Sequence, residues 1–322
     1  MTHARIAGTG SYLPEKVVTN KDLESRMETS DEWIRERTGI SRRHVAAEGE
    51  TTSDMAVAAA ERAIEAAGID RQDIDLILVG TTTPDKVFPA TACIVQRKLG
   101  IKGGAAMDLQ AVCSGFVYGL DVADRYIRTG GGRTVLVIGA ETMSRIVDWD
   151  DRSTAVLFGD GAGAVVLTAD EREGIISTHI HSDGSLEETL HVPYGVSSGY
   201  DALCGGKAFI VMQGNAVFRK AVSMLGAIAR ETLDGNGIDK KDLDWLVPHQ
   251  ANMRIISAAA KKFGLPMERV VVTVDEHANT SAASIPLALD IAVRDGRIKR
   301  GELLLLEAFG AGLTWASALI RY

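Results

Sequence analysis

A ten-residue phrase occurs twice in this chain. Gly68-Ile69-Asp70-Arg71-Gln72-Asp73-Ile74-Asp75-Leu76-Ile77 returns as Gly237-Ile238-Asp239-Lys240-Lys241-Asp242-Leu243-Asp244-Trp245-Leu246. Each copy follows a helical pattern, over Ser53–Ala67 and Asn215–Leu233, and leads into a short apolar strand. Leu120-Asp121-Val122-Ala123 is echoed at the same offset by Leu289-Asp290-Ile291-Ala292. Phe158-Gly159-Asp160-Gly161-Ala162-Gly163, ahead of one apolar strand, resembles Phe309-Gly310-Ala311-Gly312 ahead of another. Chance likeness of short helix-end phrases is the competing explanation, and three matches in the same order argue against it. Helix–strand units repeated in order predict a duplicated α/β fold. Its halves, 1–171 and 172–322, meet in the charged stretch Asp170–Gly174.

A chain of 322 residues, 46% hydrophobic and 24% charged, can bury one large core or two ordinary domains. The net charge of −8, without any run of Lys or Arg, argues against nucleic-acid binding. The longest apolar stretches, such as Val135–Ile138 and Leu303–Leu306, are strand-length and too short to span a bilayer. Met1–Pro14 has no apolar signal-peptide core. The cysteines at 93, 113 and 204 form neither a disulfide framework nor a metal set, so a reduced, cytoplasmic compartment is expected. Gly8-Thr9-Gly10 is followed by Leu13 where a dinucleotide fingerprint needs its third glycine, and Gly159, Gly161 and Gly163 precede a strand rather than a helix. These glycines read instead as sites of tight turns and close backbone approach.

Reactive chemistry points to Ala111-Val112-Cys113-Ser114-Gly115-Phe116, a nucleophile flanked by small residues at a strand-to-helix elbow. The residues from Phe116 to Arg128 read as a helix, so the Cys113 thiol faces free N–H groups and the positive dipole end, which favour thiolate. The bland alternative is a small buried apolar residue. The duplication makes Cys113 pseudo-equivalent to the Asn279–Ala282 turn and sets His249 just beyond the strand Leu243–Val247, so the three can meet in a cleft between the halves. Two chemistries fit. In a hydrolase, His249 is the base for Cys113 and Asn279 orients it. In a condensing enzyme, Cys113 carries an acyl group while His249 and Asn279 donate hydrogen bonds to an enolate oxygen. Asparagine transfers no protons, so it suits orientation or donation only. His179 and His181 alternate on a strand but lack a third ligand, so no metal site is expected. His277 reads as a structural turn partner.

Three phrases carry a family resemblance: Ala111-Val112-Cys113-Ser114-Gly115-Phe116, Val247-Pro248-His249-Gln250-Ala251-Asn252 and His277-Ala278-Asn279-Thr280-Ser281-Ala282-Ala283-Ser284. Together they resemble β-ketoacyl-acyl-carrier-protein synthase III, the initiating condensing enzyme of bacterial fatty-acid synthesis. The likeness runs from Gly8 to Leu319. It implies a thiolase-like, duplicated α-β-α-β-α five-layer architecture, a homodimer, and no metal or redox cofactor. The implied reaction is ping-pong: Cys113 takes the acyl group of an acyl-CoA such as acetyl-CoA. Malonyl-acyl carrier protein then decarboxylates under donors His249 and Asn279 and attacks the acyl-cysteine.

The resemblance further assigns Trp33, Arg37 and Arg152 to CoA, with Phe218, Asn252 and the loop near Gly214 along the pantetheine arm. Trp33 and Arg37, four residues apart, share a helix face. The oxyanion loop falls at Gly310, Ala311 and Gly312, with Ala311 replacing a common glycine. Ser114 stands where alanine is often found, at most a decoy nucleophile. Carrier protein is acidic, so a basic helix opening beside the catalytic histidine suits docking. Gln250, Ala251, Asn252, Met253 and Arg254 are the expected contacts, with Lys261, Lys262 and Arg219 nearby. Phe88 is expected by analogy to close the acyl pocket across the dimer. A specialised polyketide or quinolone synthase of the same fold, and a Cys-His-Asn thioesterase or amidase, remain the alternatives.

Overall fold

The computed structural model describes residues 2–322. Its first sheet holds β1 (His3–Tyr12), β2 (Leu76–Gly80), β3 (Ala105–Leu109), β4 (Thr134–Thr142) and β5 (Asp160–Asp170), in the order β1-β5-β4-β2-β3. The second holds β6 (Ile175–Ser182), β7 (Trp245–Pro248), β8 (Leu303–Gly310) and β9 (Thr314–Arg321), in the order β7-β8-β9-β6. The pairings correspond. β2–β4 and β7–β8 are parallel, and β4–β5 and β8–β9 antiparallel. β1 and β6 each close a sheet antiparallel to the last of these. Only β3 lacks a full counterpart, and an isolated bridge between Leu246 and Val270 stands in its place.

The main helices are α1 (Asp31–Thr38), α2 (Thr52–Ala67), α3 (Thr91–Leu99), α4 (Gly115–Arg128), α5 (Gly214–Asn236), α6 (Met253–Phe263) and α7 (Ser284–Arg294). Strand side chains alternate between faces, so β4 sends Val135 and Val137 inward against α4 and α7, and Leu136 and Ile138 outward against α2 and α3. Likewise β8 sends Leu304 and Leu306 inward, and Leu303 and Leu305 toward α5 and α6. The result is five layers, helices–sheet–helices–sheet–helices. Residues of both halves share the central core around α4 and α7. No helix among the described residues is long and apolar enough to cross a membrane.

The repeated phrase now has a physical meaning. Gly68 and Gly237, at φ 65° and 64°, end α2 and α5 in the left-handed conformation that glycine adopts at least cost. Asp70 and Asp239 accept the amides of Gln72 and Lys241, capping a short 3-10 turn. Asp75 accepts the amides of Arg133 and Thr134, and Asp244 that of Leu303, pinning the neighbouring strand in register.

The second echo is a clasp. Asp121 of α4 is gripped by Arg125 at 2.8 Å and by Thr178 of β6, in the other half, at 2.6 Å. Asp290 of α7 is gripped by Arg294 at 2.9 Å and by Thr9 of β1, again across the halves, at 2.7 Å. The third echo does not superpose. Phe158 precedes β5 and bridges to Asn279, whereas Phe309 is already inside β8 opposite Trp315. The β8–β9 connection is short while residues 143–159 link β4 to β5, so similar phrases fall on different sides of the turn.

Candidate active site

Cys113 sits in a 3-10 turn, Val112–Ser114, that runs directly into α4. Val112 carries φ 48°, a left-handed conformation that costs a branched residue on the order of 1–3 kcal/mol and makes the elbow sharp. Thr314 braces it, its hydroxyl lying 3.0 Å from the Ala111 carbonyl and 3.1 Å from Ser114 Oγ. Ser114 is thereby buried away from the cavity, so position 113 alone presents a nucleophile. Gly310 packs against the Cys113 amide, where a Cβ would come within 2.9 Å of the nitrogen, and Ala311 beside it lines the cavity. Gly312 lies outside the cavity wall. The second half repeats the elbow: Ser281–Ala283 is a 3-10 turn entering α7, and Ser281, at φ 50°, matches Val112.

The expected thiolate is corrected by burial. Desolvation pushes the Cys113 thiol up to about 12, outweighing the hydrogen bond it shares with Ser281 and its own backbone. At rest the residue is a thiol.

His249 follows β7, its amide bonded to the Glu307 carbonyl. Its Nδ1 lies 2.6 Å from Ser284 Oγ, which already accepts the Gln250 amide at 3.2 Å. Among the described residues no other acceptor is in reach of the Ser284 proton, so the hydroxyl donates to Nδ1 and the ring carries its own hydrogen on Nε2. Burial lowers the imidazole to about 3, so it is neutral. Asn279 is fixed in a similar way. Its Oδ1 accepts the Ser281 amide at 2.9 Å, leaving the Nδ2 donors for the cavity. Its backbone is bonded to Leu157 and Gly159 on the neighbouring loop. Thus Asn279 does not orient His249, and the Cys-His-Asn relay of a hydrolase is not assembled.

Cys113, His249 and Asn279 line one cavity of about 870 Å³, with Asn252, Ala251, Phe309 and Ala311. Two guanidiniums approach Trp33, Arg37 at 5.0 Å and Arg152 at 4.6 Å from its ring centre. Arg152 also donates to the Glu28 carbonyl at 2.7 Å. Phe218 is not part of the cavity wall; its α5 neighbour Val217 is, and Phe218 turns instead under Arg254, 5.5 Å away.

The expected carrier contact at Gln250 is also corrected. Its side chain is fully buried, donating to the Pro248 and Val271 carbonyls and accepting from the Thr273 and Val274 amides, so no group remains for a partner. Asn252 caps α6 through the Ile255 amide, and Met253 packs under Gly39. Arg254, Arg219, Lys261 and Lys262 are exposed. His179 and His181 both reach Glu231 of α5, and His277 is buried with Nδ1 unpartnered. Ser284, Ser281 and Glu141 carry no role in the motifs of the sequence. An acid closing the apolar run of β4 was the one available signal for Glu141.

The five layers, with a buried thiol on a strained elbow at the junction of the two sheets, are those of the thiolase-like fold, and the relatives of this chain are condensing acyltransferases. Residues 107–184 match the family described as 3-Oxoacyl-[acyl-carrier-protein (ACP)] synthase III, and residues 233–322 match its C-terminal part. The chain is 64% identical over 322 residues, all of both chains, to beta-ketoacyl-[acyl-carrier-protein] synthase III of Thioalkalivibrio sulfidiphilus. It is 62% identical to the Xanthomonas euvesicatoria enzyme of that name, covering 99% of this chain and 98% of the relative. The crystal structure of 3-oxoacyl-[acyl-carrier-protein] synthase III from Aquifex aeolicus superposes with a TM-score of 0.94 at 48% identity, over 99% of this chain and 100% of that one. The chain belongs to the β-ketoacyl-[acyl-carrier-protein] synthase III family.

Proposed function

We propose that this enzyme condenses an acyl-CoA primer with malonyl-acyl carrier protein, releasing CoA and CO2 and starting fatty-acid synthesis. The observation that carries the reading is the wiring of the two donors. Ser284 leaves His249 with an Nε2 hydrogen, and the Ser281 amide leaves Asn279 with its NH2 group, both toward the cavity. Two fixed donors stabilise the enolate oxygen left by decarboxylation. Cys113 first attacks the acyl-CoA carbonyl and expels CoA. The malonyl thioester then loses CO2, its carbanion attacks the acyl carbonyl, and the Cys113 thiolate leaves. The Cys113 amide, beside the Gly310–Gly312 turn, supports the oxyanion of the acyl-transfer steps.

Intact-mass analysis with a panel of acyl-CoAs tests this. An adduct on Cys113 that persists in buffer and discharges only when malonyl-carrier protein is added is expected. Hydrolysis of the adduct in buffer alone would support a thioesterase instead.

Trp33 with Arg37 and Arg152 beside it suits an adenine with phosphates, and the exposed Arg254, Arg219, Lys261 and Lys262 suit an acidic carrier. Arg254→Glu should raise the KM for malonyl-carrier protein several-fold while sparing acyl loading, and equal loss in both half-reactions would refute the docking role. A homodimer is supported by the open edge of β3, with Met107 42% exposed, and by Phe88, 82% exposed near cavity residues Lys86 and Val87. CoA- and carrier-bound substrates are consistent with a cytoplasmic enzyme.

A further inference from the structure

Arg43 is a fully buried cation that has, among the described residues, no carboxylate within hydrogen-bonding reach. It lies on the second strand of a short antiparallel hairpin, Val17–Thr19 with Arg42–His44. Its guanidinium donates to neutral oxygens. Nη1 reaches the Val18 carbonyl at 3.3 Å and Asn20 Oδ1 at 3.0 Å. Nη2 reaches the same Asn20 Oδ1 at 3.0 Å and the Val156 carbonyl at 3.0 Å. Nε is buried without a partner. Burial lowers the group to about 10, and Asp22 opposes this only through space. A buried charge held in this way costs stability, and an apolar side chain of similar length would cost less. Holding the hairpin together does not account for it, since one of the four bonds returns to the hairpin.

The other three lead to two ends of the site. Asn20 turns its Nδ2 to Asp31 Oδ1 and to the Ile40 carbonyl, each at 2.8 Å. Asp31 opens α1 and Ile40 lies just past its end, so Asn20 brackets the helix that carries Trp33 and Arg37. Val156 belongs to the segment running from Arg152 to Gly159. At one end of it, Arg152 lies 4.6 Å from the Trp33 ring centre. At the other, the Leu157 carbonyl accepts the Asn279 amide at 2.9 Å, and the Gly159 amide donates to the Asn279 carbonyl at 3.0 Å. The strand of Arg43 leans on the same place. A Cβ on Gly159 would come within 3.2 Å of Arg43 Cβ, and the Ser41 amide donates to the Asp275 carbonyl at 2.7 Å, just ahead of Asn279.

We infer that Arg43 is a positioning residue that ties the nucleotide end of the acyl-CoA site and the donor Asn279 to one guanidinium. This rests on the reading of Trp33, Arg37 and Arg152 as the residues that take CoA. Through Asn20, Arg43 sets the place of α1. Through Val156 it sets both the approach of Arg152 to Trp33 and the backbone that holds Asn279. A planar fork suits this task because its two Nη groups keep fixed directions, which an ammonium does not.

The test follows the acetyl adduct on Cys113 by intact mass with two donors, acetyl-CoA and acetyl-N-acetylcysteamine, a thioester without the nucleotide. In Arg43→Lys the half-saturating acetyl-CoA concentration is expected to rise about tenfold. The second-order rate with the short thioester should stay near that of wild type. Enzyme acetylated in advance by the short thioester is then given malonyl-carrier protein. Its discharge should slow about tenfold in Arg43→Lys, because the backing of Asn279 has shifted. Asn20→Ala leaves the Val156 bond in place, so it should raise the acetyl-CoA requirement and leave discharge near wild type. A merely structural role would lower the melting temperature and the active fraction, which scales both donors alike. Equal loss with the two donors, or unchanged discharge in Arg43→Lys, overturns the inference. Should Arg43→Lys not fold, Asn20→Ala decides alone through the ratio of the two donors. If wild type uses the short thioester as well as acetyl-CoA, the CoA reading of Trp33 and Arg152 fails instead. Absence of any wild-type adduct would overturn the nucleophile itself.

Discussion

Replacing His249 with alanine is expected to leave acylation of Cys113 within a few-fold of wild type while condensation falls at least about 100-fold. The asymmetry follows from the wiring. The His249 ring is bonded to Ser284 and offers the cavity a hydrogen, so it serves the enolate and not the thiol. Acylation needs Cys113 and the backbone donor beside it. Asn279→Ala should give the same split. Measuring adduct mass and β-ketoacyl product on one preparation checks both, and equal loss of the two steps would make His249 the base for Cys113 after all. The pH behaviour has a definite sign. The folded-state pKa, about 3, lies below the ordinary 6.5. Unfolded chains therefore bind the extra proton first. The stabilisation from neutral His249 is complete above pH 6.5 and is lost as pH falls toward 3.

Gly139→Val is expected to destabilise the fold by about 3 kcal/mol, and Gly139→Ala by less. Gly139, in the middle of the active-site end of β4, faces the second elbow. A Cβ there would meet the Ala282 carbonyl group, 2.7 Å from its carbon, and lie 3.1 Å from Ala283 Cα. Backbone cannot swing aside like a side chain, so the elbow carrying Asn279 and Ser281 must lift. Urea unfolding monitored by tryptophan fluorescence measures the loss. Wild-type stability in Gly139→Val would show that the two layers do not depend on this contact.

Much of this arrangement was legible because it is written in local phrases. The Gly-Ile-Asp repeat specifies a helix end, a capped turn and a strand register within ten residues, so both copies could be found without knowing what they touch. That Cys113, His249 and Asn279 meet in one cavity was legible for the same reason. What was hidden depends on distance along the chain or on small rotations. The Ser281–Glu141 bond spans 140 positions. Gln250 reads like any polar loop residue until its four internal partners are seen. Phe218 misses the cavity because one step along α5 turns a side chain by more than a quarter of a circle. The thiolate expectation failed because a helix dipole is local whereas desolvation is set by everything packed around the sulfur.

The paired clasps at Asp121 and Asp290 make the two central helices mutually dependent. Each central helix depends on a threonine from the opposite half, Thr178 for α4 and Thr9 for α7. Neither central helix can therefore loosen without drawing on a strand of the other half. The two elbows at the starts of these helices are held by the same reciprocal pair of contacts, so the one that carries Cys113 and the one that carries Ala282 in the matching place keep their relative position together.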